Sequence, residues 1–241
     1  MKILILQNRM GIGDMIMFLP FIEAISKKFK TPVTILAKKN TKVEMYFNNK
    51  EIVEEIMYLE REDNKKHSGV KGFFKLVNEL KLKKFDKVFI FNSSLRYFLI
   101  SKFSGIKEVF HYPLFKKKNQ QIIEAAKEFT LKSIGEDIES TPRLFLKEQD
   151  ILKARKDHSI DQSITNIILG IGGSGKTKRV PASIFKSFMS KVLKRSNCRF
   201  FLMTGNNIDE LKIMDEIIES EYKEYCTPVS YTHLTLPTKD S

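Results

Sequence analysis

The residues best placed by type and spacing to do chemistry lie in two glycine loops. Residues 170–177 read GIGGSGKT, and two phosphate-binding patterns overlap there. Gly170, Gly175, Lys176 and Thr177 fit G-x-x-x-x-G-K-[ST], in which loop N–H groups and a lysine cradle phosphate; the first six residues fit the dinucleotide pattern G-x-G-x-x-G. Each pattern makes a physical demand. A P-loop helix starts at its lysine and runs on, but Pro181 stands five residues after Lys176. A proline inside that helix would remove a hydrogen bond and clash with the preceding turn, at about 3 kcal/mol. No strand ends in an aspartate for magnesium, since the candidates end LMTG and FIFN. The dinucleotide pattern wants an acidic residue about 20 positions on, to hold a ribose, and none occurs between Asp161 and Asp209. A P-loop NTPase or kinase on residues 170–177 is therefore an alternative reading. The second loop, MGIGD, holds Gly11, Gly13 and Asp14. A carboxylate there can serve as a general base or as an ordinary helix N-cap.

Alternating strands and helices must position both loops. Residues 2–6 (KILIL) read as a buried strand, 14–28 as a helix, 32–37 (PVTILA) as a strand and 52–59 as a weaker one. Val70, Phe73, Phe74, Val77 and Leu80 recur at helical spacing. Residues 87–91 (KVFIF) form a strand, followed by a helix to about Phe103, a short strand at 108–112 and a helix at 120–133 with Ile122, Ala126 and Phe129 on one face. Beyond a charged connector at 147–158, residues 166–170 are a strand and Pro181 suits the first turn of a helix. Ile184, Phe185, Phe188, Val192 and Leu193 would be the buried stripe of that helix. A strand at 198–203 and a helix at 209–222 complete the pattern, which ends near Tyr225. Such alternation implies parallel strands with crossover helices, hence α/β doubly wound sheets.

Composition excludes several classes. The chain has 241 residues, 42% of them apolar, enough for a sizeable core. Cys198 and Cys226 suit neither a disulfide framework nor a zinc spacing, and the four histidines join no metal-ligand pattern. No apolar run approaches the ~18 residues of a membrane span, and Arg9 and Asp14 interrupt what could pass for a signal peptide. The default setting is reducing and cytoplasmic. The net charge of +13 is spread through the chain. Basic residues and aromatics do not gather as a nucleic-acid footprint requires, so anionic lipid head groups or an acidic substrate suit the charge better.

A longer pattern takes in more of the chain. Read as G-x-G-G-S-x-x-x-K-x-x-P-x-x-x-F, residues 170–185 resemble the donor-site signature of glycosyltransferase family 9, the ADP-heptose:lipopolysaccharide heptosyltransferases. KILILQNRMGIGDMIMFLPFIEAI resembles that family's opening strand, its G-D loop and the L-P of its first helix. FDKVFIFN, followed by a helix with Arg96, resembles its F/Y-D-x-V-I-D-L strand. The match runs from Met1 to about Ser220, with Val180 where the family usually has Trp and Asn92 where it often has Asp or Gln.

The resemblance implies a GT-B architecture: a Rossmann-like acceptor domain over 1–150 and a partial Rossmann-like donor domain over 151–228. It implies an inverting, metal-independent transferase without a cofactor. Such an enzyme moves heptose or a related sugar from an ADP-sugar to the lipid A-core acceptor, at the cytoplasmic face of the inner membrane with peripheral contact to anionic lipid and none to nucleic acid. Asp14 takes the place of the catalytic aspartate, with Gly11 and Gly13 as its loop. Gly172, Gly173, Ser174 and Lys178 take the donor site, where loop N–H groups, a hydroxyl and a cation meet the leaving diphosphate. Lys176 is the competitor of Lys178. Asn207 stands where the family has a residue near the nucleotide, and it is equally suited to capping a helix. Lys116–Lys118 reads as a solvated flank outside the site. The family's Asp-x-Gly-x-x-His motif does not occur in these residues, and 229–241 (VSYTHLTLPTKDS) resembles translated sequencing-adapter DNA. The expectation is a C-terminally truncated chain with a non-native tail, a second sheet two strands wide, and little donor binding or transfer. A non-catalytic basic protein with a degenerate glycosyltransferase fold is the further rival.

Overall fold

The computed structural model describes residues 1–9, 11–47, 49–114, 120–144, 146–172, 179–205 and 207–230. The chain divides between Phe145 and Leu146 into two compact units, so the second unit starts five residues before the expected 151. In the first unit β1 (Ile3–Gln7), β2 (Val33–Ala37), β3 (Val53–Tyr58), β4 (Lys87–Ile90) and β5 (Glu108–His111) form a wholly parallel sheet in the order β3-β2-β1-β4-β5. β1 is central, and all five of its residues are buried. Its side chains alternate between two apolar layers. Ile3 and Ile5 pack with α2 (Leu19–Phe29) and α5 (Ile122–Ile134); Leu4 and Leu6 pack with α3 (Gly69–Lys83) and α4 (Leu95–Phe103). A parallel strand covered on both faces needs such an uninterrupted apolar run, and each fully buried aliphatic side chain contributes about 1.5–3 kcal/mol.

The expected helix over 14–28 is two helices, α1 (Ile12–Ile16) and then α2. Pro20 falls in the first turn of α2; its ring and missing N–H stop one helix from passing through. The apolar faces of two helices are also phased differently from the expectation. In α3 the buried residues are Gly72, Leu76, Val77 and Leu80, while Val70 and Phe74 are exposed.

The second unit begins with α6 (Glu148–Asp157), none of whose residues is buried. β6 (Thr165–Gly170), β7 (Cys198–Thr204) and β8 (Cys226–Ser230) form a parallel sheet in the order β6-β7-β8. It is three strands wide, not two. Val229 is buried in β8 beside Met203, so Val229 and Ser230, the first two residues of the expected tail, form part of the sheet. β8 escapes a pattern reading because Pro228 interrupts it, and proline is tolerated in a strand that lies at a sheet edge. α7 (Ala182–Leu193) buries Ala182, Phe185 and Met189, with Val192 and Leu193 partly covered; Ile184 and Phe188 are exposed, against the expected stripe. Pro181 is the N-cap of α7 rather than part of its first turn. α8 (Ile208–Ile218) packs on the same apolar layer through Ile213, Met214 and Ile217.

Candidate functional site

In the first unit the chain leaves β1 toward β2 on one side and β4 lies on the other. This reversal of strand order opens a crevice beyond the carboxyl ends of the strands. The loop after β1 carries Arg9, Gly11 and Asp14 to that end. Gly11 is the N-cap of α1, with φ 113° and ψ 155°, a region essentially confined to glycine. Asp14 is the third residue of α1, and no side chain caps the helix. The N-cap reading of Asp14 is therefore not how this chain folds. Its carboxylate is half-buried and takes part in no hydrogen bond or ion pair among the described residues. Gly13 is exposed, with open space where a Cβ would stand.

Three buried polar atoms without a partner lie at the same end. Gln7 closes β1; its Oε1 accepts the Arg9 N–H at 2.6 Å, and its Nε2 has no partner. Asn92 follows β4; its Oδ1 accepts the Ser94 N–H at 2.9 Å, and its Nδ2 has none. The Tyr112 hydroxyl, just beyond β5, is the third. Burial pushes the Tyr112 pKa well above that of an ordinary phenol, against the opposing charge of Arg9. Orphaned buried groups cost about 1–3 kcal/mol each, and in a native fold they ask for an explanation. Of the three, Tyr112 lines a cavity of about 790 Å³, with Arg9, Ser93, His111 and Gln120 as further polar lining and Phe18, Phe110 and Phe129 as aromatic wall. His111 Nδ1 donates to the Tyr112 carbonyl at 2.6 Å.

In the second unit the ladder continues past β6, with the Ile171 N–H donating to the Met203 carbonyl at 2.9 Å. Gly172 follows. Gly173, Ser174 and Lys178, with the competitor Lys176, lie outside the described residues, as do Lys116–Lys118. Asn207 caps α8, its Oδ1 accepting the Asp209 N–H at 2.9 Å. Gly172 and Asn207 thus stand beyond the ends of neighbouring strands β6 and β7, with Glu210 between them. Glu210 is buried at 7% exposure. Its Oε2 accepts the Gly205 N–H at 2.9 Å and lies 3.2 Å from where a Cβ on Gly172 would stand. Arg179 donates from Nη1 to Asp209 Oδ2 at 2.6 Å, and its Nε lies 3.9 Å from Glu210 Oε1. Sequence reasoning missed Gln7, Arg9, Tyr112, Arg179 and Glu210. Gln7 left a trace, as the polar residue that ends an apolar run; Glu210 left none, since an acidic pair opening a helix reads as solvated.

No family model matches the chain, and no curated protein matches it. Solved structures do. The chain is similar to ADP-heptose lipopolysaccharide heptosyltransferase II of E. coli, at a TM-score of 0.65 and 16% identity, over 95% of this chain and 72% of that one. It is similar to a family 9 glycosyltransferase from Veillonella parvula, at 0.68 and 15%, over 95% and 68%. It is also similar to the E. coli heptosyltransferase WaaC with ADP-2-deoxy-2-fluoro heptose, at 0.59 and 14%, over 95% and 76%. The chain has the fold of the family 9 glycosyltransferases. Its two parallel α/β units are of the GT-B type, and the likeness spans both. Among the described residues, no helix of this fold is long and apolar enough to cross a membrane.

Proposed function

We propose that this chain is a glycosyltransferase of family 9. It would move heptose or a related sugar from an ADP-linked donor to a lipopolysaccharide inner-core acceptor, with inversion and without a metal. Asp14 is the general base. The observation that carries the reading is the Asp14 carboxylate, which stands at the carboxyl end of the central strand of this fold and is engaged by no described residue. A capping aspartate would have been occupied by backbone N–H groups; this one is open to a proton from an attacking hydroxyl. In this reading the first unit takes the acceptor. Gly172, Gly173, Ser174 and Lys178 take the donor diphosphate at the second, and contact with the inner membrane is peripheral, through anionic lipid on its cytoplasmic face.

The test is a screen of ADP-, UDP- and GDP-linked sugars, with binding and sugar transfer to a lipopolysaccharide core acceptor both followed. ADP-sugars should be preferred, and wherever transfer is measured Asp14→Asn should lower turnover by ~10²-fold or more, the scale of general-base catalysis, with donor binding near normal. Unchanged turnover in Asp14→Asn would remove the base; magnesium-dependent ATP hydrolysis lost on changing Lys176 would replace the reading with a P-loop enzyme.

A further inference from the structure

We propose that the outward face of α3 and α4 is a docking surface for an anionic lipid bilayer, into which Val70, Phe74 and Phe103 dip while the lysines around them meet the head groups. The proposal deepens the reading above, to which it adds the face that makes the peripheral contact. Both helices cover the side of the first sheet on which Leu4 and Leu6 of β1 lie, and hold to it through Leu76, Val77, Leu80, Tyr97 and Ile100. Other apolar side chains are left outside. Val70 is 73% exposed, Phe74 58% and Phe103 62%. They are contiguous. Val70 and Phe74 are four residues apart on one stripe of α3. Phe73 joins them to α4, its ring centroid 5.2 Å from that of Phe74 and 6.0 Å from that of Phe103. Arg96 ties the cluster together: its guanidinium lies over the Phe73 ring at 5.4 Å, and its Nη2 donates to the Gly69 carbonyl at 2.8 Å and the His67 carbonyl at 3.0 Å. A contiguous exposed patch of this kind marks an interaction surface.

Charge selects the occupant. The two helices carry six basic side chains and one acidic one, Glu79, which Lys66 and His67 already engage. Lys71, Lys75, Lys81 and Lys102 are exposed and form no ion pair among the described residues. Lys71 and Lys75 stand about 60° and 100° around the helix from Phe74, and Lys81 lies two turns further along the Phe74 stripe. Apolar tips bordered by lysines are the pattern of a helix that rests in a lipid interface. Each lysine near an anionic surface is worth roughly a factor of five in affinity. A second copy of this chain would bring the same lysines face to face, which like charge opposes. α3 follows β3 and so starts at the carboxyl end of the parallel sheet, where the crevice opens. A bilayer on this face would present a lipid-linked acceptor at that end.

The chain contains no tryptophan, so Phe74→Trp places a single fluorescent reporter on the patch. The experiment uses the full chain with vesicles of phosphatidylglycerol and phosphatidylcholine in equal parts, or of phosphatidylcholine alone, with brominated or ordinary acyl chains. Brominated anionic vesicles should quench Phe74→Trp and leave Leu131→Trp, exposed on α5 across the sheet, unchanged. Lys71→Gln with Lys75→Gln should weaken binding at least ~10-fold. The same change at Lys153 and Lys156, on α6 of the second unit, should alter it less than ~2-fold, since the attraction fades within a Debye length. Val70→Ser with Phe74→Ser should weaken it at least ~10-fold; if that variant does not fold, the lysine pair carries the test. Equal binding to phosphatidylcholine alone, or equal quenching of Leu131→Trp, overturns the proposal. So does a wild-type dimer that Val70→Ser with Phe74→Ser dissociates, which would put a second copy on the patch. Vesicle binding by a chain that binds no nucleotide sugar and transfers none supports the surface and overturns the transferase reading. ADP-sugar binding without vesicle binding does the reverse.

Discussion

The two glycines of the MGIGD loop should respond in opposite ways to alanine. Gly11 has φ 113° and ψ 155°, and the nearest atom to a Cβ placed there is Asp14 Oδ2 at 3.6 Å, an ordinary contact. The penalty of Gly11→Ala is therefore backbone strain, about 1–3 kcal/mol for a non-glycine residue in this region. At about 2 kcal/mol the melting temperature falls by roughly 4–8 °C, taking 2–4 °C per kcal/mol for a chain of this size. Gly13 lies inside α1 with nothing within 4 Å of its Cβ position. Gly13→Ala should be neutral or stabilising by up to about 1 kcal/mol, since alanine loses less backbone entropy in a helix. Thermal and urea melts of the two variants, followed by circular dichroism, decide the matter. Equal stability of Gly11→Ala and wild type, or a larger loss for Gly13→Ala, would refute the assigned loop geometry and with it the placement of Asp14.

Three further outcomes follow from other parts of the fold. Gly72→Ala should destabilise by about 1–3 kcal/mol in urea melts, despite better helix propensity, because its Cβ would fall 2.2 Å from the His67 carbonyl carbon. Burial alone would raise the Glu79 pKa, but hydrogen bonds and charge from Lys66 and His67 outweigh it and hold the carboxyl below its ordinary value. A lowered carboxylate contributes stability above its unfolded pKa and loses it as pH falls through the folded value, so Glu79→Gln should be less stable at pH 7, with the gap closing below about pH 4. Burial in β8 pushes the Cys226 thiol up to about 11, with Arg199 opposing, so native Cys226 should alkylate at pH 8 at least ~10-fold more slowly than in urea. An equal rate would mean that β8 does not form.

The parallel sheets were legible because strands buried on both faces leave continuous apolar runs, as in KILIL and PVTILA. The edge strand β8 was not, because five residues interrupted by Pro228 carry too little pattern. Helix phase was read less well than helix existence. In α3 the exposed Phe74 rests on Phe73, itself covered by Arg96, so apolar side chains occur outside the core face. At the site, Asp14 could be picked from its loop, but only its place as the third residue of α1, with no side-chain cap on that helix, separated an open carboxylate from a cap. Gln7, Tyr112 and Glu210 matter because they are buried polar groups, and burial of a single polar side chain is a property of tertiary packing that leaves no spacing to read.

The measurement that bears most directly on the central claim is equilibrium binding of an ADP-sugar in EDTA, for wild type, Lys178→Ala and Lys176→Ala. The account predicts measurable binding without metal, weakened more by Lys178→Ala than by Lys176→Ala. Binding that appears only with magnesium and fails on Lys176→Ala would contradict it.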